Sequence, residues 1–429
     1  MESPGRTILT NARVINGLGD TFRGFVAIDG SKIVGVGEGQ PERSFDEFET
    51  IDAGDMTVMP GFIDCHVHLR TDGVPDPRAQ VLSDSEAMST IRSARNARRS
   101  VEAGITTVRD CGSRNFIDVS IKKAIQDGII PGPRMVISGM IICMTGGHGW
   151  QVGLEADGVE GVRQAARRML KAGVDNIKLV ATGGILTEGT EIGAPQYSIE
   201  EMRAGVEEAR KAGRIVAAHA HGKTGIKNAV RAGVDSIEHG YFLDEEGIEL
   251  MLKFETYLVG TSAAVRNVAS HGVKDGLRES VHRKASEAVE HHIEGFGQAY
   301  RAGVELAMGT DSGVPFTHHG NNLDELVHMV DMGLSPMEAI EVATLKSAKL
   351  LRLDNQIGSI ELGKLADLVV FDGDPLSDIA LLRDKDRMHR VIQNGRTVII
   401  RDQPNRRRQT KPVHVDHGAK TAHPAVAAN

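Results

Sequence analysis

The sequence is poor in cysteine and in aromatic side chains, carries no net positive charge, and has no long apolar run. Only Cys65, Cys111 and Cys143 occur among 429 residues. Three scattered thiols build neither a disulfide framework nor a cysteine-ligated zinc site. Each reads as a small apolar residue near a strand end, and a reducing, cytoplasmic setting is expected. Aromatics make up 4% of the chain, with one Trp, which excludes a stacking platform for bases. The formal net charge of -8 removes the basic face that a nucleic-acid partner needs. No stretch approaches membrane-spanning length, and residues 1–16 lack the apolar core of a signal peptide, so no membrane association is expected. What is there, 40% hydrophobic and 25% charged residues, describes a globular protein long enough for a large barrel and an accessory domain.

Residues 1–56 alternate short strands and turns: Thr7–Ile15, Gly24–Gly30 and Lys32–Val36. The far end offers matching strands, Ala366–Phe371 and Arg390–Ile400. Neither set makes a stable sheet alone. Residues 1–56 and 357–400 are therefore expected to pair into one small β-sandwich domain, with the polar stretch 401–429 a disordered tail. Between them, over residues 57–356, eight strand-like runs alternate with helical ones. Ala-Gly-Val or Ala-Gly-Ile recurs at 103–105, 172–174, 232–234 and 302–304, each a helix-ending glycine feeding the next strand. This is the α/β pattern of a (β/α)8 TIM barrel, whose chemistry gathers at the C-terminal strand ends. No phosphate-binding glycine fingerprint follows the first strand, which argues against a doubly wound sheet.

Side chains two apart in a strand share a face. His66 and His68, closing the run that begins at Thr57, therefore face one point, as two imidazoles sharing a divalent metal do. Further polar residues close other strand-like runs: Lys178 in 174–180, His219 and His221 in 215–221, His239 in 236–239 and Asp311 in 306–311. Imidazole and carboxylate donors suit zinc and similar first-row ions. Lys178 is the odd member, because an ammonium beside a metal is repelled and costly to bury. A neutral lysine that has added CO2 becomes a carbamate, an anion able to bridge two cations; the plainer alternative is a lysine reaching the rim. Asp311 has its own alternative as a helix N-cap. His148 lies in the glycine-rich loop Thr145–Trp150, where the backbone can approach a ligand; it is assigned to oxyanion stabilisation or substrate grip. His271, His318 and His319, in loops after strands seven and eight, are weaker candidates for substrate contact. His291 and His292 read as solvated, mid-helix residues, and His414, His417 and His423 belong to the tail.

Met59-Pro60-Gly61-Phe62-Ile63-Asp64-x-His66-x-His68, Lys178, the His219 and His239 strand ends, and Gly309-Thr310-Asp311-Ser312 resemble the amidohydrolase superfamily. The segment Ile357–Val369 is similar to that superfamily's tail, so the resemblance runs from residue 7 to 400. Within it the chain most resembles the imidazolonepropionase-like group that contains Xaa-Pro dipeptidases (prolidases) and other carboxypeptidase-type enzymes with binuclear centres. The resemblance implies two divalent ions, zinc first among them. His66, His68 and Asp311 would hold one and His219 and His239 the other, with carboxylated Lys178 and a hydroxide bridging them. Asp311 would take the proton of the attacking hydroxide and pass it to the leaving amine. In that group a tyrosine often stands two residues after the strand-five histidine. Here it is His221, read as a substrate contact, with an exchange of ligand role between His219 and His221 left open.

The expected activity is metal-dependent hydrolysis of an amide next to a free carboxylate by a metal-bridging hydroxide. Dipeptides, Xaa-Pro peptides and N-acyl amino acids, ochratoxin-type N-acyl phenylalanines included, are the substrates implied, and a homo-oligomer is expected. The rival enzyme is a mononuclear deaminase or a hydrolase of cyclic amides or amidines, which usually lacks the bridging lysine. A non-catalytic binding scaffold, the alternative of another class, would be expected to have lost ligands.

Overall fold

The computed structural model describes residues 5–401, so His414, His417, His423 and the tail beyond 401 lie outside the described residues. Alternating apolar residues give the N-terminal strands Arg6–Ile15, Thr21–Asp29 and Lys32–Glu38, the last two joined by a two-residue turn at Gly30 (φ +59°) and Ser31. They belong to an eight-stranded sheet. Its order is Arg396–Ile400, Met388–Gln393, Leu368–Phe371, Thr57–Pro60, Arg6–Ile15, Thr21–Asp29, Lys32–Glu38, with Glu49–Asp52 also beside Arg6–Ile15. Arg6–Ile15 takes two parallel partners in turn, Glu49–Asp52 along Thr7–Thr10 and Thr57–Pro60 at Arg13 and Val14. Leu9, Val14, Val26, Ile28, Val58, Leu368 and Val370 form the core of this sheet.

The run from Thr57 to His68, continuous by sequence, is two strands in the structure. Thr57–Pro60 pairs antiparallel with Leu368–Phe371, and Phe62–Val67 pairs parallel with Ile105–Asp110. Pro60 has no N–H to continue a ladder. Gly61 makes the switch where no side chain fits, since a Cβ there would lie 2.2 Å from Thr106 Oγ1, and its N–H donates to Asp367 O (2.8 Å).

Phe62–Val67 opens the (β/α)8 barrel, followed by Ile105–Asp110, Arg134–Ile137, Asn176–Val180, Ile215–Ala220, Ser236–His239 and Tyr257–Val259. The ladders are parallel, and the third and fourth strands meet where Asp175 N–H donates to Ile137 O (2.9 Å). The eighth position, Val304–Met308, makes only a single bridge, Leu258 to Leu306, rather than a full ladder. Backbone bonds still close the ring there: Cys65 N–H to Met308 O and Asp311 N–H to His66 O, both 2.7 Å. The helices pack by their apolar faces. Gly158–Lys171, for example, buries Val162, Ala165, Ala166 and Met169, at the three- and four-residue spacing of one helical face. Ile199–Lys211 starts at a capping box of Ser198 and Glu201. Two short parallel strands, Ile141–Cys143 and Gly153–Glu155, flank the His148 loop and are not evident from sequence. His292, expected in solvent, is buried in the helix Glu279–Ala302, with Nε2 bonded to Ser262 Oγ (2.8 Å). The carboxylates of this helix lie on its outer face, while Lys284 joins His292 on the buried one.

Candidate metal centre

At the C-terminal strand ends a cavity of about 160 Å³ is lined by His66, His68, Lys178, His219, His221, His239 and Asp311. The imidazoles form a connected patch, with ring centroids 5.5 Å apart for His66–His68, 4.9 Å for His66–His239, 4.7 Å for His219–His239 and 4.4 Å for His219–His221. Two donor groups have their ligand atoms within 4.8 Å of one another: His66 with His68 and Asp311, and His219 with His221 and His239. A third such group, His66, Cys111 and Glu238, is already committed. Glu238 accepts from His66 Nδ1 (2.6 Å) and Arg109 Nη2 (2.7 Å), and burial pushes the Cys111 thiol up to about 12.

Three imidazoles are oriented through their far nitrogens. Nδ1 of His66 meets the Glu238 carboxylate (2.6 Å), Nδ1 of His68 the carbonyl of Gly112 (3.2 Å) and Nδ1 of His239 the hydroxyl of Thr261 (2.8 Å). A carboxylate and a carbonyl can only accept, so the ring proton of His66 and His68 sits on Nδ1 and Nε2 keeps its lone pair for the cavity. Those two Nε2 atoms lie 3.5 and 3.3 Å from Asp311 Oδ1. Burial holds His66, His219, His221 and His239 well below the usual imidazole range and His68 at about 4. The rings are neutral, the form that binds metal. Burial also raises Asp311 to about 7, against the pull of Lys178.

Within the central cluster of this cavity four buried polar atoms have no hydrogen-bond partner: Lys178 Nζ, His219 Nε2, His221 Nδ1 and Asp311 Oδ1. Folded proteins leave few such atoms, and each needs an explanation. Three of them are lone-pair donors of the type that first-row divalent ions take, so the residues fit a metal. Backbone strain gathers here too. His239 (φ +74°), Thr261 (φ +51°) and Asp311 (φ +57°) hold left-handed conformations, each costing about 1–3 kcal/mol, the kind of strain found at functional sites.

The structure places the remaining candidates as follows. His148 reaches the cavity and stacks on His219 (4.3 Å, 27°). Its Nδ1 lies 2.9 Å from Thr187 Oγ1, and its N–H donates to Gln196 Oε1 (3.1 Å). A Cβ on Gly184 would lie 2.4 Å from His148 Cε1. Gly184→Ala is therefore expected to displace the ring and lower kcat/KM by up to about 10²-fold with metal content unchanged, checked by steady-state kinetics beside metal analysis. His221 and His219 both stand beside His239. Two assignments need correction. His271 is not among the lining residues: it stacks flat on Phe316 (3.8 Å, 6°), with Nδ1 at Asn267 O (2.7 Å). His319 sits behind His68 instead of facing substrate, its Nε2 taken by the carbonyls of His68 (3.1 Å) and Thr71 (3.0 Å). His318 is bonded to Asp72 O (2.9 Å) on the exposed side.

Sequence reasoning missed Glu238, Arg109, Thr261 and Tyr241. A signal existed for the first two, since a charge inside a fully buried strand needs a partner. Lys284 was also missed. It is buried beneath the loop beside His148 and donates to the carbonyls of Gly184, Thr187 and Thr190.

A (β/α)8 barrel whose strand ends gather imidazoles, a carboxylate and a lysine in one cavity is an arrangement able to hold a divalent metal. The amidohydrolase family pattern matches residues 57–398, and the chain belongs to that family. Family membership makes it a hydrolase of carbon–nitrogen bonds. The chain is 32% identical to ochratoxinase of Aspergillus niger over 368 residues, 79% of this chain and 75% of that enzyme. A solved Xaa-Pro dipeptidase with methionine bound in its active site is similar at a TM-score of 0.85 and 35% identity, covering 92% of this chain and 99% of that one. A prolidase complexed with N-methylphosphonate-L-proline is similar at a TM-score of 0.86 and 32% identity, covering 92% and 100%. Among the described residues no helix is long and apolar enough to cross a membrane.

Proposed function

We propose that this chain hydrolyses an amide bond next to a free carboxylate in a small substrate: a dipeptide, an Xaa-Pro peptide or an N-acyl amino acid, ochratoxin-type compounds included. His66, His68 and Asp311 would hold one divalent ion and His219 and His239 another, zinc first among the candidates, with Lys178, carboxylated, between them. The observation that carries this reading is the set of four buried, unpartnered polar atoms in one cavity. The likeness to an ochratoxinase, to an Xaa-Pro dipeptidase and to a prolidase supports the substrate class. When bound, such ions acidify water and polarise a carbonyl.

The chain's own residues do the rest. Asp311 Oδ1, free of any hydrogen bond and raised by burial, accepts the proton of the attacking water and delivers it to the nitrogen of the leaving amine. Gly149 N–H donates to Thr187 Oγ1 (3.3 Å), and in this reading the Thr187 hydroxyl gives its proton to His148 Nδ1 (2.9 Å). The ring proton of His148 is thereby on Nε2, a donor for the oxyanion that develops on the substrate carbonyl. Val81, Ile185, Leu186, Val265 and Val268 line the cavity and exclude water from the bound amide.

Metal analysis joined to a screen of dipeptides and N-acyl amino acids tests the proposal. About two ions per chain and release of free amine are expected. About one ion with deamination, or with opening of a cyclic amide, would favour the rival enzyme, and a fully loaded chain that hydrolyses no amide in a broad screen would favour the scaffold.

A further inference from the structure

Thr261 is the first residue after the seventh barrel strand, Tyr257–Val259, and its neighbour Gly260, and it is the N-cap of the helix Ser262–Ser270. A threonine in that position ordinarily spends its hydroxyl on the free N–H groups of the first helical turn. Here it does not, for no side-chain cap bond is made. Its backbone is left-handed (φ +51°), an outlier for a β-branched residue, and turns the side chain away from the helix. The capping falls to Glu325, from the helix Asp324–Asp331, whose buried carboxylate accepts from Ser262 N–H (2.8 Å) and Ala263 N–H (2.7 Å). The freed Thr261 hydroxyl meets two groups, His239 Nδ1 (2.8 Å) and Tyr241 Oη (3.1 Å), and Tyr241 Oη also lies 3.4 Å from Thr261 O. With the lone pair of His239 Nε2 kept for an ion, as the proposed metal centre requires, these bonds close into a consistent proton order. His239 Nδ1–H donates to Thr261 Oγ1, Thr261 O–H donates to Tyr241 Oη, and Tyr241 O–H donates to the Thr261 carbonyl.

From this geometry we infer that Thr261 is the positioning residue of His239. Its strained backbone and its surrender of the capping role serve to fix the His239 ring with the proton on Nδ1 and the lone pair of Nε2 turned to the cavity. The inference rests on the proposed metal centre and makes it asymmetric. His66 and His68 are oriented by Glu238 and Gly112, which Thr261 does not touch, so only the ion held by His239 depends on Thr261.

Zn2+ titration of the metal-depleted full chain against a chromogenic chelator, for wild type, Thr261→Ala and Thr261→Ser, tests this. In Thr261→Ala one of the two ions is expected to bind about 10–100-fold more weakly, the loss typical when the partner that orients a ligand histidine is removed. The other ion keeps its wild-type affinity, and the thermal midpoint of the metal-depleted protein does not fall. Thr261→Ser restores the hydroxyl and returns the affinity to within about threefold of wild type, against the 10–100-fold loss in alanine. Wild-type affinity for both ions in Thr261→Ala would overturn the inference alone, as would equal weakening of both ions or a serine variant as poor as alanine. A wild-type chain that binds no Zn2+ overturns the metal centre and takes this inference with it.

Discussion

Replacing Lys178 by alanine is expected to lower amide hydrolysis by ~10³-fold or more, and millimolar formate, acetate or propionate is expected to restore part of it. The size follows from removing one member of a set of residues that act as a unit. The rescue follows from the chemistry of the side chain. Lys178 Nζ, from the middle of the fourth barrel strand, is buried without a hydrogen-bond acceptor, beside imidazoles that burial keeps neutral. On the proposed reading the neutral amine would add CO2 to give a carbamate and release one proton, which would turn an unpartnered donor into a two-oxygen anion. Alanine leaves a space of side-chain length in which a short carboxylic acid can present the same two oxygens. Turnover at the wild-type rate in Lys178→Ala without added acid would falsify the bridging role. Loss of turnover without any rescue, together with unchanged metal content, would point to a lysine that acts as an amine.

The second large effect is one of stability. Glu238→Gln is expected to destabilise the fold by about 3–5 kcal/mol, because it leaves the Arg109 guanidinium buried with no opposite charge. Both side chains are fully buried, their contact is 2.7 Å, and Arg109 is otherwise bonded only to Cys65 O (2.6 Å) and Ser236 Oγ (3.1 Å). Against a typical total of about 5–15 kcal/mol, such a loss is large and should appear as a drop in Tm of roughly 4–6 °C for a chain of this size. Replacing both partners, as Arg109→Met with Glu238→Gln, removes the stranded charge and should recover most of the stability. A double variant no better than the single one would show that the ion pair is not the cause. The double variant should still bind metal poorly, since His66 Nδ1 loses its carboxylate either way.

How far the site is legible in the sequence depends on distance along the chain. His66 and His68 announce themselves because a strand repeats every two residues, so the pair is local. His219, His239 and Asp311 are legible because each lies at or near the end of an apolar run, Lys178 because it is a charge inside one, and a parallel barrel turns such positions toward one rim. Glu238 is legible as a charge inside a buried strand, but its role is not, since its partners Arg109 and His66 lie 129 and 172 residues away. Thr261 is hidden for another reason: by sequence it is a threonine before a helix, and only its left-handed backbone reveals that the hydroxyl points elsewhere. His271 and His319 fail in the opposite sense. Both follow strands seven and eight, where loops border the cavity, but one finds a flat partner in Phe316 and the other finds two carbonyls. Neither contact has a period that a sequence could display. The strand boundary at Gly61 escaped for a similar reason, because the apolar run continues through it while the hydrogen-bonding partner changes.

That boundary has a consequence for how the polypeptide is made. Thr57 gives its hydroxyl proton to the carbonyl of Gly373, 316 residues downstream, and its strand waits for Leu368–Phe371 before one of its edges is paired. A ribosome adding about 5–20 residues each second needs some tens of seconds to cover that gap. Throughout that interval the strand Thr57–Pro60, which leads into His66 and His68, is paired on one flank only. The nascent molecule thus exposes an unpaired edge until almost its last strand emerges, the period in which aggregation competes with folding.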